Sequence, residues 1–164
     1  MTMFNRLLVA TAAAVAFLAF SPANAQTNKV SAPGPSVAAA QETFTGDLCG
    51  NKVVNLVLKT PGADADPEMM KRFGVWGDGE WDFGMCNAIA VTEINGKVAT
   101  VHYFYGIGVG VSAPGFVVVK DAVMKDKSLF FTRKGYPVTY DLVNGQLTGW
   151  YGATKLTRNL KKLK

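Results

Sequence analysis

Three acidic residues at alternate positions, Asp78, Glu80 and Asp82, are the first candidates for chemistry in this chain. In an extended strand, residues two apart project to the same face and lie about 7 Å from each other. That spacing falls within the carboxylate separations that glycosidases use, and carboxylates also bind calcium. Alternating acids are also typical of a solvated strand face, and a catalytic pair normally comes from separate elements around a cleft. A glycan hydrolase using these acids is therefore an alternative and not the leading hypothesis.

Two further features lack the partners that their chemistry would need. The glycines of residues 106–110 follow a predicted strand, as in a phosphate-binding loop, but neither a Lys-Ser/Thr pair nor a helix follows them. His102 is the only histidine, and a catalytic triad would need it beside a nucleophile and an acid. We interpret the glycines as a flexible loop at a barrel mouth and His102 as a packed or surface side chain. The sequence therefore predicts no catalytic residue, no metal ligand and no cofactor.

Aromatic side chains are the better candidates for ligand contact, because rings with a polar edge stack on sugars or line apolar pockets. The candidates are Trp76, Trp81, Tyr103, Tyr105 and Trp150. Ordinary core packing is the competing explanation for all five. Trp76 and Trp81 differ in parity, so a regular strand would allow only one of them to face the interior.

The N-terminus has the pattern of an export signal. Arg6 precedes the apolar run 7–20, and Ala23-Asn24-Ala25 fits a cleavage site, which predicts a mature chain starting at Gln26. The apolar run is shorter than the ~20 residues of a membrane-spanning helix, so no membrane span is predicted. The protein is therefore expected in the periplasm or outside the cell.

Export bears directly on the two cysteines, Cys49 and Cys86. Disulfides persist in oxidising compartments, and the chain has no Cys-x-x-Cys motif or set of four zinc ligands. We therefore predict a Cys49–Cys86 disulfide. In the chain-entropy model, closing a loop of this length stabilises the fold by ~3–4 kcal/mol.

The basic charge of the chain is confined to its end. The net charge is +5, but the last ten residues carry five basic side chains and no acid, and the rest of the mature chain is near neutral. Few charges without interleaved aromatics do not make a nucleic-acid surface, so no nucleic-acid partner is predicted. The predicted segments are a signal peptide (1–25), a flexible leader (26–42), a β-barrel domain (43–160) and a basic tail (161–164).

Short β-rich runs separated by turn residues fill the predicted domain. Strands are predicted at 53–59, 75–83, 87–94, 97–105, 116–124, 128–133, 136–143, 146–151 and 153–160. Asn95-Gly96 and Asn144-Gly145 predict tight hairpins, and Asp66-Pro67-Glu68 predicts the start of a short helix. The pattern predicts an all-β, antiparallel up-and-down meander. Closure into a small eight-stranded, calycin-like barrel would remove its exposed edges, with a two-sheet sandwich as the alternative.

Two hairpins differ in how far their faces can be assigned. At Asn144-Gly145 a two-residue turn pairs Leu142 with Leu147 and Tyr140 with Gly149, which places these residues on the core face. The 87–105 hairpin is apolar on both faces, so its interior and exterior stay unassigned.

Several motifs resemble a known family of small exported bacterial β-barrel domains. They are Trp76-Gly77, Cys86, Asn95-Gly96, Val101 to Tyr105, Pro114-Gly115-Phe116, Val138-Thr139-Tyr140, Leu147-Thr148-Gly149 and Leu156-Thr157-Arg158. The family is lipocalin-like in general shape, uncharacterised in function, and found alone or beside secreted hydrolases. Related chains often have Trp-Gly where this chain has Tyr105-Gly106, which implies a weaker aromatic platform at that barrel mouth. The resemblance implies the barrel and transfers no catalytic residue.

The leading functional hypothesis is therefore an exported, monomeric, non-enzymatic binding protein. Its ligand would be a small apolar molecule, a carbohydrate or another envelope component. The alternatives are the glycan hydrolase and a structural or inhibitory envelope protein without a pocket. An aromatic-lined cavity above ~300 Å³ would favour the binding protein, and a packed interior the pocketless protein. Acids from different strands that converge in one cleft would favour the enzyme.

Overall fold

The structure, a computed structural model, describes residues 41–164 and is built almost entirely of β-strands. The predicted signal peptide and most of the predicted leader lie outside the described residues. The elements in chain order are β1 Glu42–Leu48, β2 Asn51–Leu58, α1 Pro67–Met70, β3 Gly74–Trp81, β4 Cys86–Asn95, β5 Val98–Tyr105, β6 Gly115–Lys125, β7 Ser128–Arg133, β8 Tyr136–Val143, β9 Gln146–Tyr151, β10 Thr154–Arg158 and β11 Leu160–Lys162.

Strands β3 to β11 form a closed antiparallel barrel. Each strand from β3 to β9 pairs with the next one in the sequence. The last strand is interrupted at Asn159, and its two parts, β10 and β11, both pair with β9 on one side and with β3 on the other. With β10 and β11 counted as one interrupted strand, the barrel has eight strands and no open edge. The predicted eight-stranded meander is therefore confirmed, and the two-sheet sandwich is not observed.

The hairpin at Asn144-Gly145 has the predicted register, with Leu142 opposite Leu147 and Tyr140 opposite Gly149. Both turn residues have positive φ, as a type I′ turn requires. The hairpin between β4 and β5 turns one residue later than predicted. Asn95 pairs with Val98, so the two turn residues are Gly96 and Lys97.

Large side chains fill the barrel interior. Tyr103, Phe131 and Tyr140 are almost inaccessible to solvent. The ring of Phe131 lies between the other two and contacts both. The ring of Tyr140 fits because Gly149 lies opposite: a Cβ atom at Gly149 would lie 2.5 Å from Tyr140 Cε1. Buried side chains therefore occupy the middle of the barrel.

A β-bulge in β3 overturns the parity argument for Trp76 and Trp81. Trp76 pairs with Ile89 and Gly79 pairs with Asn87, so β3 has one residue more than β4 between these pairs. Asp78 lies in the bulge with φ of 62°. Because the extra residue restores the phase, both tryptophans face inward, and both are buried. The expectation that only one of them faces the interior was wrong.

A second layer covers one outer wall of the barrel. The β1–β2 hairpin forms a separate two-stranded sheet, and Cys49 in its turn is bonded to Cys86 at the start of β4. The predicted disulfide is confirmed. This layer explains why the 87–105 hairpin is apolar on both faces: Tyr103 faces the barrel interior, while Phe104 faces the groove under β2.

The connection between β2 and β3 lies beside the β4–β5 turn and carries α1. Asp66 caps the helix, its carboxylate accepting hydrogen bonds from the Glu68 and Met69 backbone amides, as the sequence predicts. Asp66 N donates to Gly96 O in the β4–β5 turn. Arg72 is buried, and its two terminal nitrogens donate to the backbone oxygens of Glu68 and Lys127. Within residues 41–164 no helix is long and apolar enough to cross a bilayer.

The basic C-terminal residues are part of the barrel wall. Lys161 and Lys162 lie in β11 and pair with Gly77 and Trp76 of β3. The backbone oxygen of Lys164 accepts a hydrogen bond from Val75 N. The segment expected as a basic tail therefore continues the barrel seam, with its lysine side chains exposed.

Candidate functional site

The up-and-down topology brings the ends of four strands together at one mouth of the barrel. Alternate strands of a meander run in the same direction, so β3, β5, β7 and β9 all end at this mouth. Their last residues are Trp81, Tyr105, Arg133 and Tyr151. The chain thus places three aromatic side chains and one guanidinium around a single opening.

Arg133 lies among tyrosine rings at this mouth. Its Cζ atom is 4.4 Å from the ring centroid of Tyr105, 4.6 Å from that of Tyr103 and 5.8 Å from that of Tyr151. Each such cation–π contact is worth about 0.5–2 kcal/mol, depending on desolvation. The Nε atom of Arg133 is buried and has no hydrogen-bond partner among the described residues. The rings hold the charge in place, and the Tyr103 hydroxyl is a hydrogen-bonding group beside it.

The residues below Arg133 form the floor of the opening and are joined by hydrogen bonds. Trp81 Nε1 donates a 3.2 Å hydrogen bond to the hydroxyl oxygen of Tyr103. Deeper in the barrel, the Tyr140 hydroxyl donates to Asn87 Oδ1 at 2.7 Å, and Asn87 Nδ2 donates to Phe104 O at 3.1 Å. Since β4 and β8 are not neighbours in the sheet, the Tyr140–Asn87 bond crosses the barrel interior. These bonds fix the rings on which any ligand at the mouth would rest.

Burial keeps the floor tyrosines neutral. Desolvation raises the pKa of Tyr103 to about 12, although the charge of Arg133 and the hydrogen bond from Trp81 both act to lower it. Desolvation also raises the pKa of Tyr140 well above its usual value. Neither phenol therefore ionises near neutral pH, and neither supplies a negative charge to Arg133.

A cavity of about 270 Å³ opens above this floor. Its walls are the rings of Trp81, Phe83 and Tyr151, and Val109 to Val111 border it. The glycine-rich segment therefore lies at the barrel mouth, where the sequence analysis expected a loop. The cavity is slightly smaller than the ~300 Å³ at the lower end of ligand pockets, and it has room for roughly one ring.

The five predicted ligand-contact residues fall into three places. Trp81, Tyr103 and Tyr105 meet at the mouth around Arg133. Trp76 is buried far from it, where its Nε1 donates to Arg72 O. Trp150 lies on the outer face with Lys155 over its ring. Only the first group shares a site.

Three residues of the mouth were not predicted from the sequence: Arg133, Phe83 and Tyr151. Parity could have identified Arg133, because it is in phase with Leu129 and Phe131, which are both buried. A charged residue at a position where the strand pattern predicts a buried apolar side chain is unusual, and it can be recognised from the sequence alone.

The three alternating acids do not line the mouth cavity. Asp78 lies in the bulge and is exposed, Glu80 forms an ion pair with Arg158, and Asp82 follows the end of β3 in an exposed turn. Within residues 41–164 no group of three or more His, Cys, Asp or Glu side chains could hold a metal ion. The surroundings of Asp78, Glu80 and Asp82 are those of a solvated strand and turn.

A second, larger cavity of about 490 Å³ lies outside the barrel, between β2 and the outer wall. The ring of His102 stacks there with those of Phe104 and Phe116, each with its centroid 6.3 Å away. His102 Nδ1 is buried without a hydrogen-bond partner, and burial lowers the pKa of His102 below its usual 6.5.

The lowered pKa of His102 predicts a pH-dependent stability. The unfolded chain takes up the proton first, so the free energy of unfolding should fall below about pH 6.5 and level off below the folded-state pKa. His102→Phe should remove this dependence, because His102 is the only histidine. Urea denaturation of both proteins between pH 7.5 and pH 5.5 measures the difference. Equal slopes against pH would contradict the prediction.

The fold and the site together define a small, closed, eight-stranded antiparallel barrel with an aromatic and cationic mouth, consistent with a calycin-like shape. No known protein family matches the chain, and neither a curated protein nor a solved structure is significantly similar to it. The resemblance to exported bacterial barrel domains therefore rests on the sequence motifs alone.

Proposed function

We propose that this protein is an exported, non-enzymatic binding protein that holds a small ring-shaped ligand at the mouth of its barrel. The observation that carries the proposal is the aromatic cavity above Trp81 and Tyr103. Cavities with apolar walls and a few fixed polar groups are typical of small-molecule sites. The floor is preorganised by the Trp81–Tyr103 hydrogen bond, which reduces the entropy cost of binding.

Export is supported by the Cys49–Cys86 disulfide, since such bonds persist outside the reducing cytoplasm. The motif resemblance to exported barrel domains and the signal pattern ending at Ala25 point the same way. The intact mass of protein secreted from the full chain tests this part, because cleavage after Ala25 leaves Gln26 as the first residue.

The packed interior is what a structural or inhibitory envelope protein without a pocket would have. Because the interior is filled by side chains, the proposed binding site is limited to the mouth of the barrel. The hydrolase alternative has less support, because Asp78, Glu80 and Asp82 come from one strand and the turn that follows it. Asp78 and Glu80 line one open pocket, but Glu80 is paired there with Arg158, whereas a catalytic pair normally comes from separate elements around a cleft.

Native mass spectrometry of the mature protein, purified from its own compartment, tests the binding proposal. We expect the wild type to retain a small molecule and Phe83→Ala to lose most of it. Phe83 is 39% exposed, borders the cavity and stacks on Trp81, so its removal opens one wall without disturbing the core. Phe116→Ala is the matched control, because Phe116 is also an exposed ring but lies outside the barrel.

Thermal unfolding with added compounds provides an independent test, since a ligand that binds only the folded state raises the melting temperature. The compounds are benzoate, benzamide, glucuronate and glucose. The proposal is wrong if the purified protein carries no small molecule and none of the four raises its melting temperature. It is also wrong if Phe83→Ala and Phe116→Ala lose the ligand equally.

A further inference from the structure

Arg133 carries a positive charge that its surroundings do not neutralise. The ion pairs within residues 41–164 involve Lys59, Lys71, Arg72, Arg158 and Lys164, and none involves Arg133. Aromatic faces attract a cation but do not replace the acceptors that its N–H groups lose with water. The buried Nε of Arg133 is accordingly without a partner.

Arg72 shows how the same chain holds an arginine that has a structural role, although its Nε is also buried without a partner in the described part of the chain. Both of its terminal nitrogens donate to backbone oxygens, and the Glu68 carboxylate lies 3.6 Å from one of them. Arg133 lies against the rings of Tyr103 and Tyr105, with the Tyr103 hydroxyl as its hydrogen-bonding neighbour, and it has no carboxylate partner within residues 41–164. Among the described residues, both arginines have a buried Nε without a partner, and Arg133 differs from Arg72 in that it borders an open cavity and has no carboxylate beside it.

The other lining residues are consistent with an external anion. Lys134 is the second charged residue that borders the cavity, and no acidic side chain borders it. Tyr103 stays neutral below about pH 12 and does not repel an anion. Two cations at an opening with low-dielectric walls attract negatively charged molecules.

We propose that the ligand at the mouth is a small ring-bearing carboxylate whose carboxylate group is bound by the Arg133 guanidinium. This inference rests on the binding function proposed above and specifies its ligand class. A guanidinium offers parallel N–H groups that match the two oxygens of a carboxylate. The cavity of about 270 Å³ leaves space for a single ring against Trp81, Phe83 and Tyr151. Aromatic acids and sugar acids share this chemistry.

Two probe pairs test the charge and distinguish the two sources. Isothermal titration of the oxidised mature protein compares benzoate with benzamide and glucuronate with glucose. We expect at least one acid to bind 10-fold or more tightly than its neutral counterpart. The better acid identifies the source as aromatic or saccharide. Equal affinity within both pairs would overturn the carboxylate inference and leave binding at the mouth intact, whereas no binding by any probe would contradict both.

Substitution of Arg133 tests whether this residue causes the preference for the acid. Arg133→Gln should abolish the preference for the acid, and Arg133→Lys should retain only part of it, because lysine keeps the charge but not the paired N–H groups. Arg158→Gln is the control, since it removes one exposed positive charge on the outer face. An unchanged preference in Arg133→Gln would overturn the inference.

A measurement on the unmodified protein covers the case in which Arg133→Gln does not fold. In uniformly ¹⁵N-labelled wild type, the Nε–H resonance of Arg133 should shift on addition of the preferred acid. Its neutral counterpart should leave that resonance in place. Equal shifts with the acid and its neutral counterpart would overturn the proposal.

Discussion

Replacement of both cysteines, Cys49→Ser with Cys86→Ser, should lower the free energy of unfolding by about 3–4 kcal/mol. The cross-link spans 37 positions, and removing it restores the conformational entropy of that loop to the unfolded chain. Urea denaturation of the oxidised wild type and the variant measures the loss. Wild type treated with a reductant is the matched control and should unfold like the variant.

The same variant should also loosen the outer layer, because the disulfide ties the β1–β2 turn to the start of β4. Backbone amides of β1 and β2 should then exchange with solvent faster than those of the barrel. Thiol labelling of the unreduced wild type should detect no free cysteine. Full labelling, or a loss of stability below about 1 kcal/mol, would contradict the prediction.

Asn87→Leu should cost about 2–5 kcal/mol of stability. Asn87 is fully buried and bonds both the Tyr140 hydroxyl and the Phe104 backbone oxygen. Each buried polar group left without its partner costs about 1–3 kcal/mol. Leucine has a similar size, so the loss comes from the hydrogen bonds more than from packing.

A second substitution separates these two contributions. Adding Tyr140→Phe to Asn87→Leu removes the orphaned hydroxyl while keeping the ring that packs against Gly149. The double variant should therefore be more stable than Asn87→Leu alone by about 1–3 kcal/mol. If Tyr140→Phe costs the same in the wild type and in the Asn87→Leu background, the two residues are not coupled.

Local sequence patterns predicted most of the barrel, because the turns of a meander are encoded where they occur. Asn144-Gly145 has both residues in the conformation that a type I′ turn needs, and that turn alone determines the register of Leu142 with Leu147. The limits of β7, β8 and β9 were predicted to the residue. At the β4–β5 hairpin a glycine and its neighbours allow more than one turn, and the loop forms at Gly96-Lys97.

Features that depend on distant parts of the chain were not predictable in this way. The bulge at Asp78 shifts the phase of β3 by one residue, and the only local mark of it is the pair of glycines, Gly77 and Gly79, that flank Asp78. The β1 strand was not predicted, because its pattern ETFTGDL alternates only weakly. The mouth was only partly predicted: single rings could be named, but the approach of Arg133 to three tyrosines requires the closed barrel.

The interrupted last strand determines when the barrel can be completed. β3 has β4 on one side and β10 with β11 on the other, so one of its edges stays unpaired until residues 154–164 arrive. Cys49, Cys86 and the whole of β1 to β9 precede that segment in the chain. Under the proposed export, which would deliver the N-terminus first, oxidation of the cysteines does not have to wait for the C-terminal strand. The Cys49–Cys86 disulfide can therefore form while the barrel is still an open sheet.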